Sequence, residues 1–321
     1  MIIYKNLYII GNGFDQFHNI PCGFQDFMEW IKKNDASLFD KLTQTYNNAW
    51  GYNWWRDFEN SLAELNIDYY ANKIGNSYDP EYIKEGTIEE KTEFASRKVT
   101  EEFLGIKKSL KYDFQKWLSE AYERNPKDKK VQFTNKDSIF LTFNYTKTLE
   151  DIYEIDAKHV YHIHGDIDNK DSIVFGHGLG KEELIDMLES QKLRLGEVWS
   201  KKLNKKTRFE IVTPTHKKLA MLSALESIVS FEKNVKKCIE NNKQFFDNIL
   251  DVEKIYVYGF SFSYIDMPYI EKIIRRTKSE THWVISWYSQ EDKRRIMDFA
   301  IRYGIQNITM INGIKNIEIE V

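Results

Sequence analysis

The stretch Leu7-Tyr8-Ile9-Ile10-Gly11-Asn12-Gly13-Phe14-Asp15 decides the fold class. Four apolar residues without polar alternation read as a strand buried on both faces, as in a parallel sheet covered by helices. Two glycines end it. A Gly-x-Gly turn lets the backbone bend tightly and approach a phosphate without a Cβ in the way, and the helix that follows is expected to offer unpaired N–H groups. Two fuller fingerprints are not met: Gln16 stands where G-x-G-x-x-G needs its third glycine, and no G-K-[ST] follows for a Walker loop. By itself the turn supports a nucleotide site and an ordinary strand-to-helix bend equally. Asp15 reads equally well as a helix N-cap.

Working outward, further short apolar segments repeat the pattern. Ser138–Phe143 ends at Asn144, Val160–Ile163 at His164, Lys254–Tyr258 at Gly259 and His282–Trp287 at Tyr288, with a weaker sixth segment at Ile308–Ile311. Open α/β sheets bind ligands beyond the carboxyl ends of their strands, so chemistry is expected along that edge. Two helical insertions separate the strands, at about residues 24–135 and 181–251, and we expect one elaborated domain over 1–321. The first insertion carries the aromatic anchors Trp50, Trp54, Trp55, Phe58, Phe114 and Trp117, with a break at Asn76-Ser77-Tyr78-Asp79-Pro80. Charge from Thr87 to Lys111 reads as a solvated helix face. The Trp54, Trp55 and Phe58 spacing is that of helix packing, with Glu59 the one member polar enough for a site. Thr213-Pro214-Thr215-His216-Lys217-Lys218 reads as an exposed basic turn in the second insertion, with a phosphate-facing lid as the other reading.

Composition narrows the classes. The chain has 321 residues, 42% hydrophobic and 15% aromatic, with 5 Pro and 15 Gly, which is ordered globular protein. With 46 Lys+Arg against 49 Asp+Glu, its net charge of -3 offers no global attraction to nucleic acid or anionic lipid. The two cysteines, Cys22 and Cys238, show neither a C-x-x-C spacing nor disulfide density and read as buried thiols. The first ten residues show no signal-peptide pattern, and no segment reaches the roughly 18 apolar residues of a membrane span. A cytoplasmic location is expected.

The residues at the strand ends carry the chemistry. Asn144, in Phe140-Leu141-Thr142-Phe143-Asn144-Tyr145-Thr146, is a poor strand former at the mouth of a sheet, read either as a turn-forming Asn or as a ligand contact. In Tyr161-His162-Ile163-His164-Gly165-Asp166, strand periodicity places His162 and His164 on one face. His164, just before a glycine, is placed to titrate near neutral pH and act as a general base. His162 reads as a satisfied core residue, and His177, in the next glycine-rich turn, as a lining residue of the same cleft. A zinc site from the three is not expected, because no thiol ligands or H-E-x-x-H helix accompany them. The carboxylates Asp166 and Asp168 read as solvated loop acids, and no serine elbow or Cys/His pair is recognisable.

These motifs together resemble the AbiH family of bacterial phage-defence proteins. The matching pieces are Leu7 to Asp15, Trp55 to Glu59, Thr142 to Thr146, Tyr161 to Gly165, and Gly259-Phe260-Ser261-Phe262-Ser263 through Asp266, in order along nearly the whole chain. That family resembles the sirtuin-like NAD-binding fold, which implies a Rossmann-like parallel sheet flanked by helices. The resemblance implies that Gly11, Asn12, Gly13, Phe14 and Asp15 hold the NAD phosphates, with Gly165 also binding the nucleotide. It implies that Asn144 orders the nicotinamide ribose and an attacking water, that His164 is the base, and that Gly259, Ser261, Ser263 and Asp266 form the turn at the adenosine half. The zinc-binding cysteine quartet of deacylating sirtuins is missing, so the implied activity is NAD hydrolysis, with NAD as substrate and no separate cofactor or metal. A nucleotide-binding toxin or sensor without hydrolysis is the alternative; a nuclease or helicase-like effector lacks its metal carboxylates and Walker loop. Implied partners are NAD or a related nucleotide, a phage-derived trigger or cognate antitoxin, and further copies of the chain, with no membrane or nucleic acid.

Overall fold

The computed structural model describes residues 3–66, 69–70, 87–123, 128, 131–133, 137–169, 171–179, 186, 223–224 and 226–314. The Asn76–Pro80 break, the Thr213–Lys218 turn and most of the insertion at 181–251 lie outside them. The chain divides into two compact units, one formed by Met1–Phe27, Gln115–Val174 and Asn234–Val321, the other by Met28–Phe114 and Phe175–Lys233.

The first unit holds a six-stranded sheet: β1 (Asn6–Ile10), β2 (Ser138–Thr142), β3 (Val160–His162), β4 (Lys254–Tyr258), β5 (His282–Trp287) and β6 (Ile308–Asn312). All six segments expected from sequence are strands, including the weaker sixth. Their order is β3-β2-β1-β4-β5-β6 and every pairing is parallel, so this is a Rossmann-like α/β sheet. Parallel pairing puts all the carboxyl ends on one edge. Strand order reverses between β1 and β4, the point at which doubly wound sheets take their ligands.

Both faces of the sheet are buried. Leu7, Ile9, Ile139, Leu141, Ile255, Val257 and Ile285 join one apolar cluster, which continues into Ile270 and Ile273 of the helix Met267–Arg276. Tyr8, Ile10, Phe140, Tyr256, Tyr258 and Val284 join the other. On this second face Tyr8 stacks between Phe140 and Tyr256, with ring centroids 4.9 and 4.8 Å away. Fully burying one such side chain contributes roughly 1.5–3 kcal/mol, which explains why the strands read as uninterrupted apolar runs.

Helices flank the strands. Gln290–Tyr303 begins with a capping box, Ser289 and Asp292 each accepting the other's backbone N–H, and stops at Gly304 with φ of 66°. Such a box fixes where the chain leaves β5. In the second unit, Trp54, Trp55 and Phe58 are buried as their spacing foretold, with Trp55 stacked on Phe58 at 5.2 Å. The charged stretch falls on the longer helix Ile88–Glu123, with Thr87 just before its first residue. Among the described residues, no helix is long and apolar enough to cross a membrane.

Candidate active site

The glycine loop meets the turn after β4 at the switch point. Gly11 N–H donates to the Tyr258 carbonyl and Gly13 N–H to the Gly259 carbonyl, both at 2.9 Å, while Phe14 N–H donates to Gly11 at 2.9 Å. Gly11 and Gly13 are thus paired across the switch point, where the two turns are pressed together, and Phe14 within its own turn, so these three are not the unpaired donors expected from sequence. The glycines have the same cause. A Cβ on Gly11 would lie 2.6 Å from the Gly259 oxygen, one on Gly13 2.9 Å from the Gly259 Cα, and one on Gly259 2.4 Å from the Phe14 nitrogen. Gly259 also holds φ of 61°, a region that disfavours other residues.

The helix Asn12–Phe17 starts from Gly11, so Asp15 is not its N-cap. Asp15 is 1% exposed and accepts from the hydroxyls of Thr146 (2.5 Å) and Thr148 (2.8 Å). Burial raises its pKa from 3.8 to about 6, against the opposing pull of the two threonines, Asn144 and the nearby His162. Phe14 is buried in an aromatic cluster with His18, Tyr153 and Tyr258. Asn12 is exposed and its amide is tied to Cys22: Nδ2 donates to the Cys22 carbonyl at 3.2 Å and Oδ1 accepts from Sγ at 2.7 Å.

Asn144 follows β2 and bridges three elements. Its backbone N–H donates to Thr142 Oγ1 (3.0 Å), its Nδ2 to the Gly11 carbonyl (3.1 Å), and its carbonyl faces His162 Nδ1 (3.1 Å). His162 Nε2 lies 3.0 Å from Glu150 Oε1. Both ring nitrogens therefore face acceptors, an arrangement that suits imidazolium. Burial lowers the His162 pKa, but Glu150, the Asn144 carbonyl and Asp166 outweigh it and the net shift is upward.

His164 is 3% exposed and lies between the rings of Phe143 and Tyr269, centroids 5.4 Å from each. Its Nε2 is 3.6 Å from Asp266 Oδ1, an electrostatic contact beyond hydrogen-bond length. The expectation that His162 and His164 share a face is overturned. The ladder ends at His162, and Gly165 N–H closes a turn onto the His162 carbonyl at 3.1 Å. Strand alternation stops there, so His162 turns to Glu150 beside one apolar cluster and His164 to Phe143 and Tyr269 in the other. Gly165, with φ of 82°, makes that turn, and a Cβ on it would lie 2.3 Å from the Ser172 oxygen.

After Gly259 the chain runs through Phe262, a non-glycine residue at φ of 52°, to Asp266. Such a conformation in a bulky residue is strained and is often found where function requires it. Ser261 is exposed and Ser263 half-buried. Asp266 precedes the helix Met267–Arg276 without capping it, and its carboxylate approaches His164. Sequence reasoning missed Ser286, whose Oγ accepts from Gly259 N–H at 3.2 Å and donates to Val257 at 3.1 Å. It also missed Glu150 and the pairing of Asp15 with Thr148, contacts that have no local sequence signal.

His177 and Glu59 belong to the second unit. His177 is fully buried, with Nε2 3.0 Å from the Ile228 carbonyl, and burial lowers its pKa. Glu59 pairs with buried Lys233 at 3.1 Å. Asp166 accepts from the N–H groups of Asp168 and Asn169, and Asp168 pairs with Lys147, so both loop acids have structural partners. No His/Cys/Asp/Glu cluster among the described residues has the arrangement of a metal site.

Comparison with known proteins places the chain. Neither the curated proteins nor the solved structures contain a match. One family model does match, described as bacteriophage abortive infection AbiH, and it spans residues 7–287, from the first residues of β1 to the end of β5. This chain belongs to the AbiH family, whose business is the abortive-infection defence of bacteria against phage.

Proposed function

We propose that this chain is an NAD glycohydrolase effector of abortive infection, cleaving NAD to nicotinamide and ADP-ribose. The observation that carries the reading is the placement of Asn144 and His164 after β2 and β3, with Asp266 reaching His164 from beyond β4 across the switch point of a 3-2-1-4-5-6 sheet. The motif resemblance to sirtuin-like NAD-binding proteins supports the choice of ligand.

The chemistry asks little of the protein. Nicotinamide leaves as a neutral ring from a positively charged glycoside, so no strong general acid is required, and the site must stabilise an oxocarbenium-like ribose while delivering water. Asn144 positions the ribose hydroxyl or the water. His164 accepts the proton, and the Asp266 carboxylate at 3.6 Å stabilises the imidazolium that forms. Ser261 and Ser263 offer hydroxyls on the opposite side of the switch point. Cytoplasmic action, a phage-derived trigger or cognate antitoxin, and self-association belong to the same reading.

Nicotinamide release from NAD by purified wild type, Asn144→Ala and His164→Ala tests it, with a second set of assays in phage-challenged cells. Release lost in both variants supports hydrolysis; equal traces from all three proteins refute it. A second reading, nucleotide binding without turnover, draws on the 3% exposure of His164 and the paired N–H groups of the glycine loop. It predicts saturable NAD binding with no nicotinamide formed in either setting.

A further inference from the structure

Within the second unit, the helix Ile88–Glu123 carries two opposite stripes. Val99, Phe103, Ile106 and Leu110 are buried at the spacing of one helix face. Half a turn away, Arg97, Glu101, Leu104, Gly105, Lys108 and Tyr112 follow the opposite face and are all exposed. Leu104 is 55% exposed and Tyr112 63%. Scattered apolar residues are ordinary on a protein surface. A glycine between them is not, because in a helix interior it costs stability against alanine. A Cβ on Gly105 would have nothing within 4 Å among the described residues, so packing inside the chain does not account for it. What a glycine there does allow is the close approach of another backbone.

The exposed stripe is self-complementary. Reversed end to end about the Leu104–Gly105 bond, it sets Glu101 against Lys108, Arg97 against Tyr112 and Leu104 against Gly105. The first contact is an ion pair, the second lays a guanidinium on a ring, and the third fits a side chain into the space a glycine leaves. A two-fold axis demands such a pattern, since in an isologous contact residue i meets j and j meets i. Parallel packing would instead oppose Glu101 to Glu101 and Lys108 to Lys108. In its own helix Glu101 already pairs with Lys98 at 3.0 Å and Arg97 at 3.8 Å. Three and four positions from Lys108 stand Leu104, Gly105, Lys111 and Tyr112, none of them acidic. A second copy supplies the acid that this lysine's own helix face does not.

We infer that this face of Ile88–Glu123 is an interface between two copies of the chain, packed antiparallel with the two-fold axis at Leu104–Gly105. From Arg97 to Tyr112 the stripe runs about 22 Å, a small contact beside the ~1,200–2,000 Å² of stable complexes, so the dimer forms in the micromolar range. The inference gives self-association a surface and does not depend on NAD being the substrate.

Sedimentation velocity of the full chain, from about 1 to about 100 µM, tests it, with a dimer expected to grow in across that range. Glu101→Lys and Lys108→Glu each oppose like charges at two places across the axis and should each weaken dimerisation about tenfold or more. An equimolar mixture of the two variants should recover wild-type dimerisation, because each chain then meets its opposite. Gly105→Gln should raise the melting temperature at a concentration where wild type is monomeric, yet weaken the dimer about tenfold, a combination that misfolding does not produce. A wild type that stays monomeric at the top of the range overturns the inference. So does a dimer indifferent to all three substitutions, or a mixture of the two charge variants that stays monomeric. Nicotinamide release is not read, so failure of the glycohydrolase reading leaves this result standing.

Discussion

Two histidines two residues apart, His162 and His164, sit in opposite kinds of environment. His162 is wired into a polar network: Glu150 at one nitrogen, the Asn144 carbonyl at the other, Asp15 and its threonines beyond. His164 is framed by Phe143 and Tyr269, with the Asp266 carboxylate 3.6 Å from Nε2. The network favours the charged form of its histidine. Under the proposed function, His164 is the one of the two that takes up a proton, with the Asp266 carboxylate beside it.

The largest effect should separate the two histidines directly. His164→Ala is expected to lower nicotinamide release by about 100-fold or more, the range for loss of a general base. His162→Gln, which keeps a donor for the Asn144 carbonyl, should lower it no more than about tenfold; equal losses from the two variants would erase the contrast.

Next in size is the contact beneath both sites. Gly259→Ala places a Cβ 2.4 Å from the Phe14 backbone at a positive φ, and is expected to destabilise the protein by about 3 kcal/mol in urea unfolding. A change below about 0.5 kcal/mol would mean that the two turns are not packed as described.

Asp15→Asn should act with the opposite sign on stability. Its folded pKa of about 6 lies above the ordinary 3.8, so the folded state binds the proton more tightly. The stabilising contribution is present below pH 4, falls as pH rises from about 4 to about 6, and leaves a cost of about 3 kcal/mol at neutral pH. The asparagine variant should therefore be more stable than wild type at pH 7, by up to that amount, and nearly equal to it at pH 4. Paired urea titrations at the two pH values check the sign. A more stable and less active variant would mark Asp15 as kept for function.

The smallest effect concerns the Glu150–His162 pair. A raised histidine pKa contributes stability that is complete below the ordinary value of 6.5 and fades as pH rises through the folded value. Glu150→Gln is expected to cost about 1 kcal/mol below pH 6, with the gap to wild type closing in alkaline solution. A gap independent of pH would show that His162 is not held as a cation.

Much of the fold could be read from short pieces of chain. The strands announced themselves because a parallel sheet buried on both faces needs unbroken apolar runs, and Leu7–Ile10 and Lys254–Tyr258 are such runs. The candidate site was legible residue by residue at the strand ends, where Asn144, His164 and Gly259 break the apolar pattern. The relation of His162 to His164 was not, since period two holds only while the ladder lasts and Gly165 ends it. The meaning of the glycines was open too. Gly11 and Gly13 suit a phosphate as well as a neighbouring backbone, and only the arrival of Gly259 across the switch point shows the second use.

The sequence alone determined the strand set, the parallel class and the residues at the sheet's carboxyl edge, because these follow from local apolar patterning and from residue types that resist strand conformation. Tertiary structure decided which of those residues meet. Asp15 reaches Thr146 and Thr148, Asn144 reaches Gly11, and His164 reaches Asp266 only after the sheet is assembled. The physical reason is that hydrogen bonds and buried charges act over a few ångströms, while these partners lie about a hundred residues or more apart along the chain and leave no periodic trace in it.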